Sequence, residues 1–160
     1  MPHSYSSILM HCVWGTKERH KSLDAGVRER LWAFIGGIAR QNGMKALAVG
    51  GIEDHVHVLL SLPATMAVSK AVQLLKGGSS KWLHDTYPAL SRFAWQEGYG
   101  AFSVSVSHVA GTVEYIRGQE EHHRKRSFEE EYLTFLRKHG LSSMISMSSV
   151  KFQSSLGDSY

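Results

Sequence analysis

The chain has 160 residues, 42% of them hydrophobic and 20% charged, with a formal charge of +4 and a single cysteine. That balance fits one domain with a sizeable core and excludes wholesale disorder, while the lone Cys12 excludes an intramolecular disulfide or a zinc ribbon and suits a reducing compartment. A pI near 9.3 favours a polyanionic partner, nucleic acid first; with no basic-then-apolar leader and no apolar run near the roughly 18 residues that span a bilayer, a cytoplasmic location with no membrane is expected.

In chain order, Ile8, Met10, Cys12 and Trp14 alternate with Leu9, His11 and Val13, so Ser4 to Trp14 is expected as a strand covered on both faces. Val27, Leu31, Phe34, Ile35 and Ile38 recur every three or four residues, which predicts an amphipathic helix from Asp24 to Gln41 ended by Asn42-Gly43. Lys45 to Gly51 gives a second strand, which turns near Ile52-Glu53 into a third that Pro63 closes. A second helix is expected from Met66 to Leu83, kinked or broken at Gly77-Gly78 because glycine costs about 1 kcal/mol against alanine in a helix.

Thr86 to Gly100 reads as an ordered surface loop. Ala101 to Ser107 alternates Phe102, Val104 and Val106 with serine, a fourth strand. Helices are expected over Val109 to His122 and Phe128 to Lys138. From Leu141 to Tyr160 the chain is serine-rich without a usable period. The order β-α-β-β-α-β predicts an α+β, ferredoxin-like sandwich with an antiparallel sheet and C-terminal helices, one domain over 1–140 followed by a tail over 141–160.

The third strand carries the chemistry. Period-two alternation puts His55 and His57 on one face and Val56, Val58 and Leu60 on the other, and side chains two apart start roughly 6.6–6.8 Å apart, so both imidazoles can lean onto one metal ion. A pair of ordinary strand histidines is the alternative. On the third helix Tyr115 and Gln119 are four apart and share a face. Lys17, Arg19, His20 and Lys21 form one basic cluster and His122 to Arg126 another, with Lys70, Lys76 and Lys81 as a helical stripe. Such runs are often solvated faces, but they also suit phosphate contacts. His11, expected on the histidine face of the first strand, reads as a hydrogen-bonded core residue or as support for the metal pair.

The combination of His55-Val56-His57 on a strand with Tyr115-x-x-x-Gln119 on a later helix resembles the single-tyrosine HUH-superfamily transposases of small bacterial insertion sequences and their REP-associated relatives. His11-Cys12-Val13-Trp14-Gly15-Thr16-Lys17 and Trp95-Gln96-Glu97-Gly98-Tyr99-Gly100-Ala101-Phe102 support the likeness, which spans about Ser4 to Lys138. The resemblance implies Tyr115 as nucleophile and His55, His57 and Gln119 as ligands of Mg2+ or Mn2+, whereas ligand chemistry alone would prefer zinc or manganese. It implies cleavage and rejoining of single-stranded DNA at hairpin-bearing ends through a 5′-phosphotyrosine. Because such a strand must be held against the metal, the basic residues Lys17, Arg19, Lys21, Lys70, Lys76, Arg124, Lys125 and Arg126 are the expected phosphate contacts. It further implies a homodimer with composite active sites. A domesticated hairpin-binding protein and a His-x-His metallohydrolase are the alternatives.

Overall fold

The computed structural model describes residues 3–123 and 128–140. The chain divides into two compact units, 1–119 and 120–160. The first holds strands β1 (Leu9–Gly15), β2 (Lys45–Ile52), β3 (His55–Ser61) and β4 (Gly100–Ser103) and helices α1 (Ala25–Gln41), α2 (Val68–Thr86) and α3 (Val109–Arg117). A short helix α4 (Gln119–His123) begins on its last residue. In the second unit α5 (Phe128–Lys138) covers the span the sequence predicts and ends with Arg137 and Lys138 in its last turn, where cations offset the helix dipole. The serine-rich segment from Leu141 and the Arg124-Lys125-Arg126 cluster lie outside the described residues.

The four strands form one antiparallel sheet in the order β2-β3-β1-β4, the ferredoxin-like arrangement the sequence predicts. Its two faces differ. Cys12, Trp14, Val56, Val58 and Leu60 point to the side covered by α1 and α2 and form the main core with Leu31, Ile35, Val72 and Leu75. Burying a Leu or Ile side chain of this kind contributes about 1.5–3 kcal/mol. Burial also pushes the Cys12 thiol up to about 12, so it is a packing residue and no nucleophile. The opposite face carries Ala48 and Leu59, packed under Ile116 of α3. The histidine face is thus roofed by the third helix.

Helix α1 starts where the stripe begins, with Asp24 accepting a hydrogen bond from the Val27 amide (3.0 Å) as N-cap. Helix α2 runs unbroken through Gly77-Gly78, contrary to the expected kink. The reason is the neighbour: a β-carbon on Gly78 would come within 2.8 Å of Ile38 Cδ1, so glycine there lets α1 approach and the packing outweighs the low propensity. Strand β4 is shorter than the alternation suggests. After Val104, whose amide still bonds the Leu9 carbonyl (2.9 Å), the Ser105 hydroxyl bonds His108 Nδ1 (2.5 Å) and the chain turns through Val106–His108. The single helix expected over 109–122 is two, because Gly118 (φ −92°, ψ 19°) ends α3 and α4 starts at Gln119.

Candidate active site

Antiparallel register puts Val13 and Gly50 on either side of His57, and Gly15 and Ile52 on either side of His55. Both histidines are completely buried. Gly50 matters because the backbone of α3 rests on it: a β-carbon there would collide with the Ile116 carbonyl oxygen. This close approach brings the residues flanking Ile116 down onto the imidazoles.

Tyr115 lies with its ring edge-on to His57 (centroids 5.7 Å apart) and to His11 (6.2 Å), and remains partly exposed. Gln119 is buried, and its amide nitrogen donates to the Tyr115 carbonyl (3.2 Å) across the Gly118 break. That bond fixes which end of the amide is the oxygen. Oε1 therefore faces Nε2 of His55 at 3.2 Å. On the other side of the same ring, His55 Nδ1 is 2.9 Å from Asp54 Oδ1, and Arg19 Nη2 donates to Asp54 Oδ2 at 2.9 Å. Burial raises the Asp54 pKa, but hydrogen bonding from His55 and the Arg19 charge outweigh it and hold the carboxyl below its ordinary range. A carboxylate only accepts, so Nδ1 carries a proton, and it is Nε2 that faces Gln119. His57 and His11 share a hydrogen bond, Nδ1 to Nε2, of 2.8 Å.

At 3.2 Å an Nε2–H would donate to the amide oxygen, and with Nε2 unprotonated the two facing lone pairs leave a place for a cation between them. Two donors held about 2.1 Å from one ion at a near-right angle are roughly 3 Å apart, so His55 and Gln119 fit a shared divalent cation, with His57 beside them. The rings of His55 and His57 are 5.2 Å apart, centre to centre.

The remaining candidate residues are placed less centrally. Lys17, Arg19 and Lys21 follow β1 in a segment that wraps the β2-β3 turn, with the Thr16 amide on the Asp54 carbonyl (2.8 Å) and the Leu23 amide on the Glu53 carbonyl (3.0 Å). Lys17, Lys21 and Lys70 are exposed. Lys76 is half-buried and donates to the carbonyls of Gln96 (2.6 Å) and Gly98 (3.0 Å), and burial lowers its pKa. Sequence reasoning did not single out Asp54, although a carboxylate next to a paired histidine was the available signal. It also missed Gln96, whose Oε1 accepts from the Gly15 amide (2.7 Å) at the end of β1.

Residues 4–119 match the family model described as "Transposase IS200 like". The chain is 32% identical over 116 residues to the ISDra2 transposase TnpA of Deinococcus radiodurans, covering 69% of this chain and 83% of that protein. It is 26% identical over 126 residues to the transposase for insertion sequence element IS200 of Salmonella typhimurium, covering 76% and 82%. A crystal structure of a transposase from Deinococcus radiodurans R1 superposes with a TM-score of 0.60 at 27% identity, over 72% of this chain and 93% of that one. The REP-associated tyrosine transposase bound to a REP hairpin shares the fold, with a TM-score of 0.53 at 16% identity over 91% and 77%. The histidine face roofed by Tyr115 and Gln119 thus sits within the matched span, and the chain belongs to the IS200-like transposase family.

Proposed function

We propose that this transposase cleaves and rejoins single-stranded DNA by transesterification on Tyr115, with a divalent cation, Mg2+ or Mn2+, held by His55, His57 and Gln119. The observation that carries the reading is the meeting of these four side chains in one chain: Tyr115 against His57, and Gln119 Oε1 against His55 Nε2. When bound, the cation supplies positive charge that stabilises the anionic phosphate in the transition state. Gln119 and the two imidazoles hold it without adding negative charge. Tyr115 Oη attacks the phosphorus, the bond to the 3′ oxygen breaks, and the hydroxyl proton of Tyr115 ends on that leaving oxygen. The product is a 5′-phosphotyrosine, which a 3′-hydroxyl reverses because the phenoxide is itself a leaving group.

Lys17, Lys21, Lys70, Arg124, Lys125 and Arg126 are proposed to hold the phosphate backbone, whereas Arg19 and Lys76 are engaged within the chain by Asp54 and by the carbonyls of Gln96 and Gly98. The ligand class is single-stranded DNA bearing hairpins, in line with the REP hairpin bound by the solved relative of the same fold. We further propose one functional domain over 1–140 with a serine-rich tail over 141–160, acting in the cytoplasm; no described helix is long and apolar enough to cross a membrane. Two copies are proposed to pair through β4, an edge strand bonded only to β1 among the described residues. In the structure α3 lies over the histidines of its own chain, and the composite sites are proposed to form when two paired copies exchange α3 and remake the same contacts across the pair.

The test is incubation of end-labelled single-stranded element ends with protein and Mn2+. The expected result is metal-dependent cleavage that leaves a fragment linked to the protein, with both cleavage and linkage abolished in Tyr115→Phe. Free 5′-phosphate released by a Tyr115→Phe chain would instead identify a metallohydrolase, and hairpin binding without cleavage a pure binding protein.

A further inference from the structure

We propose that Asp54, braced by Arg19, is a positioning residue that sets the tautomer of His55; the inference rests on reading His55 as a metal ligand. Asp54 is gripped from two directions. Its backbone carbonyl accepts from the Thr16 amide (2.8 Å), and its Oδ2 accepts from Arg19 Nη2 (2.9 Å). The turn that returns Arg19 to this carboxylate runs through Glu18 (φ 54°) and Arg19 (φ 58°), two consecutive non-glycine residues in the left-handed region. L side chains rarely adopt that region, and it persists where surrounding contacts over-determine it. Here the contact that the turn delivers is the ion pair itself.

The other carboxylate oxygen, Oδ1, lies 2.9 Å from His55 Nδ1, and Gln119 Oε1 lies 3.2 Å from His55 Nε2. The sequence of contacts Arg19, Asp54, His55, Gln119 is therefore continuous. An acceptor at Nδ1 keeps the ring proton there and leaves Nε2 with its lone pair directed at the ligand position. Asp54→Asn inverts this. Arg19 only donates, so the new amide keeps its oxygen on Arg19 and turns its NH2 toward Nδ1, which must then accept. The proton moves to Nε2, where it donates to Gln119 Oε1 and occupies the position a cation would take. Loss of catalysis by a wrong histidine tautomer is the same logic that governs carboxylate-to-amide changes in hydrolytic triads.

The experiment uses the full-length chain stripped with EDTA, labelled with 15N-histidine, and read by long-range 1H–15N spectra with His55 assigned through its loss in His55→Gln. Wild type is expected in the Nδ1–H form and Asp54→Asn in the Nε2–H form. Mn2+ titration is expected to show affinity lower by about 10–100-fold in Asp54→Asn, with Asp54→Glu recovering part of it. Arg19→Met should weaken Mn2+ binding less, and not add further loss in the Asp54→Asn background. If wild type binds Mn2+ and Asp54→Asn binds it equally with the Nδ1–H form retained, the role of Asp54 is overturned while the metal reading stands. If wild type binds no Mn2+, the metal reading fails and this role fails with it. Should Asp54→Asn not fold, the wild-type spectrum decides alone, and an Nε2–H His55 there overturns the inference.

Discussion

Gly50 of β2 supports the backbone of Ile116 in α3 so closely that a β-carbon at position 50 would collide with the Ile116 carbonyl oxygen. Gly50 is also the register partner of His57, so the helix meets the sheet beside the histidine pair. Gly50→Ala should therefore lift α3, destabilising the fold by about 1–3 kcal/mol and separating Tyr115 and Gln119 from the imidazoles. Urea unfolding and a cleavage assay check this together. Wild-type stability and rate in Gly50→Ala would show that α3 does not depend on the contact.

His55→Ala and His57→Ala are each expected to abolish cleavage while single-strand binding, read by fluorescence anisotropy, stays within a few-fold of wild type. The phosphate contacts are on other residues. Both rings are buried and hydrogen-bonded, so a stability loss of about 1–3 kcal/mol should accompany the change. Cleavage by the double alanine variant after chelation would remove the histidines from the mechanism.

Affinity for single strands should fall steeply with salt. Lys17→Glu with Lys21→Glu should weaken binding to unrelated sequences about equally and flatten the log–log salt slope by about 0.7 for each phosphate no longer neutralised. An effect confined to one hairpin would show that these lysines read bases or shape instead.

Trp95 Nε1 donates to the buried Ser79 hydroxyl (2.9 Å), which donates on to the Leu75 carbonyl (2.6 Å). Ser79→Ala leaves the indole N–H without that acceptor and should cost about 1–3 kcal/mol, seen as a lower urea midpoint. An unchanged midpoint would mean that the loop around Trp95 relaxes to find another acceptor.

Much of this was legible in the sequence where periodicity and chemistry agree. The period-two run through His55, Val56, His57 and Val58 gives both the strand and its two faces, and the α1 stripe with Asp24 before it gives the helix and its cap. What was not legible depends on neighbours. Gly77-Gly78 reads as a break until Ile38 is known to lie against it, and Gly118 reads as mid-helix until Gln119 is seen bonding back to the Tyr115 carbonyl. Arg19 and Lys76 look like free surface charges along the chain; in the fold one braces Asp54 and the other holds the carbonyls of Gln96 and Gly98. A one-dimensional pattern records charge but not the long-range partner that engages it.

The proposed exchange of α3 between copies predicts complementation. A His57→Ala chain mixed with a Tyr115→Phe chain, each inactive alone, should recover cleavage to at most about half of wild type, since one of the two composite sites then has every group. Heterodimers that form and stay inactive would place each working site within a single chain.

Transesterification on Tyr115 requires that this residue become covalently joined to DNA. The direct measurement is mass spectrometry of peptides from protein reacted with a single-stranded element end and Mn2+. A nucleotide adduct is expected on the peptide containing Tyr115, absent on chelation and in Tyr115→Phe; an adduct on another residue, or cleavage that proceeds with no adduct at all, would overturn the tyrosine mechanism.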